Sequence, residues 1–447
     1  MTEMSDVVFS TSEMTEIFSG RMLVQRMLDF EAALARAKAR ADIIPMHAAE
    51  AIAQKCDVDL FDLAAVYEGA AATGTPAVPV VGRLTELVDD EAKAFVHGGA
   101  TSQDAIDTGV MLQMRDGLKA LVDDLVTTGR SCRDLAERHR RTAMVGRTLL
   151  QHALPITFGL KAANWLSSIT RQIDRLREVG AGLAVQFGGA AGTLAALRND
   201  GVRVAELLAG DLDLVTPDLP WHAQRDRITE VAAALAVVAG AVGKIAEDVV
   251  LLAQTEVGEA RVSGEGGVSS AMPHKRNPVG ATLATASVKL ALGAAHTVVS
   301  AAIQEHERSA GGWQSEWAAL PDAFRFTASA VRRVRDATAN LEVDEERMWA
   351  NLDLTRGLIM AEALVVALAP HYGRDEAFRI VDQACRAATE QGRGLLAVAA
   401  DDPRVRDALS SDELERVFDP LSYLGSTDSF IDAAIERFTS LEVGGAG

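Results

Sequence analysis

The stretch "ITEVAAALAVVAGAVGKIAEDVVLL", residues 228–252, decides the fold class of this 447-residue chain. Its large apolar residues recur in alternating steps of three and four, at Ile228, Val231, Leu235, Val238, Val242, Ile245, Val249 and Leu252. That spacing puts them on one face of a long α-helix packed nearly parallel to its neighbours. The other faces carry mostly alanine and glycine, so we expect burial nearly all round and association with other copies of the chain.

The same alternating spacing occurs earlier in the chain and predicts a second long helix. Its buried face carries Met111, Met114, Leu118, Leu121, Leu125, Thr128, Cys132 and Leu135. Further helices are predicted over 20–42, 158–179, 280–303, 322–341 and 374–390, whereas strand signals are sparse. We therefore expect an all-α protein with three helical domains: an N-terminal domain over 1–109, a central long-helix bundle over 110–352 and a C-terminal domain over 353–447.

The composition indicates a globular protein and argues against several classes of partner. Apolar residues make up 48% of the chain, and the net charge of −19 disfavours nucleic acid or an anionic membrane as a partner. The most apolar run, 231–243, is too short to cross a bilayer, and the first residues lack the features of a signal peptide. Three scattered cysteines suit a reducing compartment, so we expect a cytoplasmic protein. The sequence has no metal-site spacing or phosphate loop, and we expect no metal and no cofactor.

One polar segment interrupts the helices with an unusual composition: "GEGGVSSAMPHKRNPVGA", residues 264–281. Glycines give backbone freedom before two serines, whereas Pro273 and Pro278 stiffen the second half of the segment. Such a segment is typical of a lid hinged over a site, and Lys275 with Arg276 supplies charge for a carboxylate or phosphate. A polar surface loop is the alternative interpretation, and the residues alone leave it open.

Three segments together resemble the shared motifs of one enzyme superfamily. "SSAMPHKRNP" (269–278) resembles the signature GSSxMPxKxNP of the fumarase/aspartase superfamily. "HGGATSQDAIDT" (97–108) and "GRTLLQHALPITFG" (146–159) resemble two further shared segments, the latter usually written GRTHxQxAxPxTxG. The segments occur in the expected order, and the resemblance covers essentially the whole chain. It implies three helical domains, a homotetramer whose core is the long helix bundle, and active sites that each gather segments from three subunits.

The resemblance also implies a reaction and the residues for it. Members of the superfamily form or break a C–N or C–O bond beside a carbon whose proton is α to a carboxylate. By position Ser269 is the base, with Ser270 beside it, and His152 is a candidate for proton handling or anion contact. The candidates for binding the substrate are His97, Thr101, Ser102, Gln151, Lys275, Asn277, His306 and Arg308. For the three histidines a purely structural role stays open.

Two positions depart from the superfamily pattern. Val268 stands where a glycine is usual, and Leu149 stands where the GRTH segment carries a histidine. That histidine helps to protonate a poor leaving group or to activate the attacking one, which a leucine does not do. A carboxylate needs no such help, because the pKa of its conjugate acid is about 4. Leu149 therefore favours a reaction in which an internal carboxylate adds to a double bond and closes a lactone.

Within the superfamily the chain resembles the bacterial 3-carboxy-cis,cis-muconate cycloisomerases. The stretches that carry this resemblance include "PWHAQRDR" (220–227), "QEHERSAGGWQSEW" (304–317) and "NLDLTRGLIMAEAL" (351–364). The resemblance implies conversion of a tricarboxylate, 3-carboxy-cis,cis-muconate, to 4-carboxymuconolactone in the β-ketoadipate pathway of aromatic compound degradation. Three alternatives stay open: an adenylosuccinate-type lyase, a 3-sulfomuconate cycloisomerase, and a member that keeps the fold without activity.

Overall fold

The computed structural model describes residues 4–264, 267, 272 and 274–444. Within these residues the chain forms twenty α-helices and four short β-strands, which confirms the predicted, mostly helical fold. The elements up to the second strand are α1 (Met4–Phe9), α2 (Ser12–Ile17), α3 (Gly20–Arg40), α4 (Met46–Ala53), α5 (Leu63–Thr73), α6 (Ala77–Leu87), α7 (Asp90–Lys93), α8 (Ser102–Arg138), β1 (Ala143–Thr148) and β2 (Gln151–Thr157).

The second part of the chain is also mostly helical. Its elements are α9 (Phe158–Ala181), α10 (Gly201–Leu212), α11 (Asp226–Leu252), β3 (Ala260–Val262), α12 (Val279–Ser300), α13 (Gly312–Ala339), β4 (Leu341–Val343), α14 (Glu345–Asp353), α15 (Ala361–Tyr372), α16 (Arg374–Gln391), α17 (Leu395–Asp401), α18 (Pro403–Ala408), α19 (Ser411–Val417) and α20 (Thr427–Gly444). Short 3₁₀ turns lie at Val58–Leu60, Ala195–Leu197, Leu358–Met360 and Pro420–Ser422.

Long helices dominate the chain, and their seams are buried as the sequence predicts. Every residue of the two predicted seams, on α8 and α11, is at most 5% exposed. The main difference concerns α13, which begins at Gly312 rather than near 322 and runs through Pro321. A proline inside a helix removes one backbone hydrogen bond. Leu320 and Phe324 are buried beside it, so packing outweighs that loss.

The described residues form two compact units, each built from separate parts of the sequence. Unit 1 holds the described residues of Met1–Leu125, Gln172–Gly243 and Leu283–Arg333, and its core includes Phe30, Leu84, Leu112, Phe187 and Leu208. Unit 2 holds the described residues of Val126–Arg171, Lys244–Thr282 and Val334–Gly447, with one core cluster around Leu364, Leu368 and Ile380. The division into domains 1–109, 110–352 and 353–447 stays a prediction.

An antiparallel hairpin that the sequence did not predict positions two candidate residues of unit 2. Strands β1 and β2 pair with Thr148 opposite Gln151 and Arg147 opposite His152. The two residues between them, Leu149 and Leu150, have φ angles of 52° and 64°. A two-residue turn with both φ angles positive normally selects asparagine and glycine, so Leu-Leu gives no sequence signal for it. A second, three-residue pairing joins β3 to β4.

Helix α12 leaves apolar side chains on the surface of the single chain. Leu290, Leu292 and Val299 are 40 to 44% exposed. Among the described residues, α12 is the helix long and apolar enough to cross a membrane, a test that core helices of soluble proteins pass as well.

Candidate active site

The carboxylate of Asp104 fixes the start of α8 in unit 1. Its side chain is fully buried. One oxygen accepts hydrogen bonds from the backbone N–H of Gly188 (3.1 Å) and from Nε2 of His222 (2.7 Å). The other accepts from the backbone N–H of Thr101 (3.0 Å) and of Gly189 (2.9 Å). Asp104 therefore ties the motif 97–108 to the loop at 188–189, and the two glycine amides bind this internal carboxylate.

Arg308 lies against the same two segments. One terminal nitrogen of its guanidinium donates to Oγ1 of Thr101 at 3.2 Å, and the other donates to the carbonyl of Ala190 at 2.9 Å. Ser102 is the first residue of α8, a helix of 37 residues. The first turn of a helix carries free N–H groups and a positive dipole end, which favour an anion. The structure thus brings Thr101, Ser102 and Arg308 together in an arrangement suited to a carboxylate.

His97 is held by a buried carboxylate from α3. Its Nδ1 donates to Oε1 of Glu31 at 2.5 Å, and the side chain of Glu31 is 2% exposed. Burial lowers the pKa of His97, but the charge and the hydrogen bond of Glu31 outweigh it, so that the net pKa is raised. A carboxylate on Nδ1 leaves Nε2 free to donate to a ligand. The geometry favours an imidazolium that attracts anions.

A buried ionic network joins α8 to the beginning of α11 and to α13. The guanidinium of Arg225 pairs with Asp107 at 2.7 Å and with Glu316 at 2.5 Å, and all three side chains are at most 5% exposed. Burial lowers the pKa of Arg225, but the two carboxylates outweigh it and the net pKa is raised. Gln304 donates to Glu316 at 3.0 Å, which anchors the beginning of the segment 304–309.

His306 differs from the other candidates of unit 1. It is exposed, with a φ of 46°, next to Glu305, whose carboxylate accepts from Ser309 and from the backbone N–H of Ala310. Among the described residues, no contact joins the side chain of His306 to Thr101, Ser102 or Arg308. A role for His306 in binding stays a prediction.

Unit 2 contains an ion pair between the hairpin and a buried carboxylate. The guanidinium of Arg147 makes two hydrogen bonds to Glu259, at 2.7 and 2.9 Å, and the side chain of Glu259 is completely buried. Nδ2 of Asn351 donates to the same carboxylate at 2.7 Å and to the carbonyl of Val257 at 2.8 Å. These contacts fix β1 at the position opposite His152.

The hairpin presents Gln151 and His152 differently. Gln151 is exposed next to the turn, whereas His152 is half-buried. Nδ1 of His152 is buried and meets no hydrogen-bond partner among the described residues. Burial first, and then the charge of Arg147, lowers the pKa of His152, with Glu259 acting in the opposite direction. Leu149, where the superfamily pattern has a histidine, is 97% exposed at the tip.

The remaining candidates lie in or near the signature segment. Ser269 and Ser270 lie outside the described residues. Lys275 is exposed. The backbone N–H and the side-chain Nδ2 of Asn277 both donate to the carbonyl of Gly267, each at 3.1 Å. Asn277 thus closes the segment on itself, and its role towards a substrate carboxylate stays a prediction, as does that of Lys275.

A cavity of about 320 Å³ in unit 1 is lined by none of the candidate residues. Its lining includes Phe18, Ile106, Trp313 and Trp317 together with the Arg225 network. The charged groups of that network are already paired with one another, so the cavity offers a ligand mainly apolar surface. The candidate anion site at Thr101 and Arg308 is therefore distinct from this cavity.

Comparison with known proteins gives the family. A model described as "Lyase" matches residues 6–293, and a second, described as "Adenylosuccinate lyase C-terminus", matches 357–434. The chain belongs to this lyase family. Its predicted membership of the fumarase/aspartase superfamily is confirmed, and the chain is an enzyme of that superfamily by homology.

Individual relatives are similar over nearly the whole chain. The 3-carboxy-cis,cis-muconate cycloisomerase of Pseudomonas aeruginosa is 46% identical, covering 98% of this chain and 97% of its own. The enzyme of the same name from Bradyrhizobium diazoefficiens is 47% identical, covering 96% of each. Among solved structures, the 3-carboxy-cis,cis-muconate lactonizing enzyme from Pseudomonas putida superposes with a TM-score of 0.92 at 43% identity, covering 98% of this chain and 99% of its own.

Proposed function

We propose that this chain is a cycloisomerase that converts 3-carboxy-cis,cis-muconate to 4-carboxymuconolactone. The observation that carries the proposal is similarity along the whole chain, at 46 and 47% identity, to enzymes of that name. The presence of Leu149 instead of a histidine supports the same reaction, because a carboxylate attacks without a base. An adenylosuccinate-type lyase would need a proton donor for its leaving nitrogen.

The contacts in unit 1 support a substrate with several carboxylates. Arg308, the first turn of α8 and the imidazole of His97 all favour negative charge in one part of the unit. Asp104 holds Thr101 at the beginning of α8, Glu31 holds His97, and Arg308 is held by its contacts with Thr101 and Ala190. Preorganised donors of this kind stabilise charge without reorganising during the reaction. We assign Thr101, Ser102, Arg308 and His97 to the carboxylates of the muconate, with Gln151, Lys275, Asn277 and His306 as further binding residues.

The proposed reaction is an internal addition. A carboxylate oxygen of the muconate forms a bond to the carbon that bears the 3-carboxylate. A double bond joins this carbon to the carbon α to the C1 carboxylate, and its electron pair moves to that α carbon. The hydroxyl of Ser269 donates a proton to that carbon and is reprotonated from solvent, so one proton is taken up overall. Binding the substrate in a curled conformation brings the reacting atoms into contact, which lowers the barrier.

Full-length protein and synthetic 3-carboxy-cis,cis-muconate test the proposal. We expect loss of the diene absorbance and formation of the lactone in the NMR spectrum, unchanged after dialysis against a chelator. Ser269→Ala should lower turnover by about 10²- to 10⁴-fold, the range for loss of a general acid or base. Ser411→Ala, at an exposed serine of α19, is the matched control.

Other outcomes would contradict the proposal. Release of AMP and fumarate from adenylosuccinate, without action on the muconate, would favour the adenylosuccinate-type lyase. Preferential turnover of 3-sulfomuconate would change the substrate. Binding of the tricarboxylate without turnover of any of the three would indicate a member that has kept only the fold.

We extend the proposal to a cytoplasmic homotetramer with active sites shared between subunits. Apolar side chains left exposed on the long helices support it: Val237 of α11 is 46% exposed, and Leu290 and Leu292 of α12 are 40 and 44% exposed. Leu290→Glu should therefore lower the mass measured by light scattering, whereas Leu60→Glu, at a side chain 41% exposed outside the long helices, should not. A monomeric wild-type protein, or one that needs detergent for extraction, would contradict the extension.

A further inference from the structure

His152 combines three features that together restrict its protonation. It lies directly opposite Arg147 in the hairpin, so the two side chains project from the same face of the sheet. Its Nδ1 is buried and has no hydrogen-bond partner among the described residues. The guanidinium of Arg147 is held in place by Glu259, which Asn351 anchors in turn. This nitrogen is buried within the single chain.

The three protonation states of the ring are not equally compatible with this environment. An imidazolium would leave a buried N–H without an acceptor among the described residues and would add a second cation opposite Arg147. A neutral ring protonated on Nδ1 would leave the same N–H unsatisfied and direct its positive end into the protein. A neutral ring protonated on Nε2 places a lone pair at the buried position, where the positive charge nearby is favourable. The only N–H then lies on Nε2, the other ring nitrogen.

We propose that His152 works as a neutral hydrogen-bond donor through Nε2–H, and that Arg147 is the positioning residue that fixes this tautomer. The ligand is a carboxylate of the substrate, and this identification rests on the proposed function. Proton transfer is then left to the serine of the signature segment, and His152 stabilises charge without exchanging a proton. The charged groups that act on the ring are Arg147 of β1 and Glu259, which precedes β3.

Exchange of the ring C2 hydrogen, followed by mass spectrometry, tests the protonation state without any assay of activity. The pH midpoint of this exchange gives the pKa of each histidine in the full-length protein. We expect the midpoint of His152 to lie below the ordinary value of about 6.5 and that of His97 above it. Glu259→Gln should lower the midpoint of His152 further, and Arg147→Met should raise it. A purely structural disturbance would not shift the midpoint of His152 in opposite directions in the two variants.

Two substitutions of His152 test which nitrogen donates. The amide nitrogen of glutamine is as many bonds from the backbone as Nε2, whereas that of asparagine corresponds to Nδ1. We therefore expect His152→Asn to lose about 10- to 150-fold in kcat/KM, mostly through KM, which is the loss expected for one hydrogen bond to a charged group. His152→Gln should keep most of the kcat/KM that His152→Asn loses. His47→Gln, at an exposed histidine, is the matched control.

The outcomes separate this proposal from the proposed function. If the muconate is not turned over but the midpoints move as expected, the assignment of the substrate fails and the tautomer stands. If the muconate is turned over and the midpoint of His152 lies above the ordinary value, the tautomer is wrong. Equal losses in His152→Gln and His152→Asn, together with loss of one limb of the pH profile, would identify His152 as a proton shuttle and overturn the proposal.

Discussion

His97 in unit 1 and His152 in unit 2 occupy opposite electrostatic environments. His97 donates from Nδ1 to the buried carboxylate of Glu31, and its pKa is raised despite burial. His152 has no partner at Nδ1 among the described residues, lies opposite Arg147, and its pKa is lowered by burial and by that charge. The first environment favours an imidazolium that attracts anions, and the second favours a neutral ring.

The difference shows that a histidine in a motif has no fixed chemistry of its own. The groups that decide its charge come from distant positions: Glu31 lies 66 residues from His97, and Glu259 lies 112 residues from Arg147. Both carboxylates are at most 2% exposed. A substitution at either carboxylate or its partner therefore changes the environment of one histidine and leaves the other histidine as an internal reference.

The largest effect is expected from Arg147→Met. This change leaves the fully buried carboxylate of Glu259 without its cation, and breaking a buried pair in this way costs about 3–5 kcal/mol. Unfolding in urea, followed by hydrogen exchange of the hairpin amides, measures the loss. The double variant Arg147→Met/Glu259→Leu should recover most of it, because the unpaired charge is gone. A double variant no more stable than the single one would mean that packing by Arg147, rather than its charge, stabilises the hairpin.

Glu31→Gln should have the next largest effect, and it should depend on pH. Because the pKa of His97 is raised in the folded protein, protonation of His97 stabilises the fold fully below the unfolded value of about 6.5. That contribution is lost as pH rises through the raised pKa. The free energy of unfolding of the wild type should therefore exceed that of Glu31→Gln by about 1.5–3 kcal/mol at low pH, and this difference should become smaller at high pH.

Urea unfolding at a series of pH values measures this gap, and His97→Gln is the control. The control removes the titrating group itself, so the part of the pH dependence that His97 contributes should be absent from its stability. A gap between wild type and Glu31→Gln that widens as pH rises would contradict the raised pKa of His97.

The fold was largely predictable from sequence because its signal is periodic and local. The seams of α8 and α11 follow a spacing that only a helix satisfies, and every residue in them is buried. The hairpin at 143–157 was not predictable, because its turn consists of Leu149 and Leu150 and gives none of the usual glycine or asparagine signal. Helix α13 starts earlier than the sequence predicts because packing carries the helix through Pro321.

The sequence indicated candidate residues for binding a ligand, whose roles stay predictions, but not the residues that hold them in place. The resemblance indicated Thr101 and Ser102 in the motif 97–108 and Arg308 in the segment 304–317, and the structure brings Arg308 into contact with Thr101, next to the beginning of α8. The sequence did not indicate the roles of Asp104, Glu31, Arg225 and Glu259, although Asp104 lies inside the motif 97–108. Their partners are far apart in sequence, so no spacing reveals them, and only the burial of a charge in the folded chain identifies a required partner.

A smaller effect is expected from relieving backbone strain at the tip of the hairpin. Leu150 has a φ of 64°, a conformation that costs a residue with a side chain about 1–2 kcal/mol and glycine almost nothing. After the larger chain entropy of glycine is subtracted, Leu150→Gly should raise the free energy of unfolding by about 0.5–1 kcal/mol. His97 has a similar φ of 55°, but His97→Gly should lower stability, because the contact with Glu31 is lost.

Urea unfolding of both glycine variants measures this contrast, with Leu149→Gly as a second test at the same turn. Stability gained at both leucine positions and lost at His97 would show that strain at His97 is compensated by a partner. A loss at Leu150 would mean that the exposed tip packs against another copy of the chain.

The smallest effect concerns His152, and its sign is opposite to that at His97. Because the pKa of His152 is lowered in the folded protein, the unfolded chain binds more protons once pH falls below about 6.5, and stability decreases with acid. His152→Gln lacks this titration. The free energy of unfolding of the variant should therefore increase relative to that of the wild type as pH falls from about 6.5 towards 5. Urea midpoints over this range measure the slope, and His47→Gln should follow the wild type. One protein contains both histidines. A wild type that gains stability from His97 as pH falls towards about 6.5, and loses stability from His152 as pH falls further, would establish the two opposite environments. If the stability of His152→Gln instead decreases relative to the wild type in acid, His152 forms a stabilised imidazolium, and the two histidines do not have opposite environments.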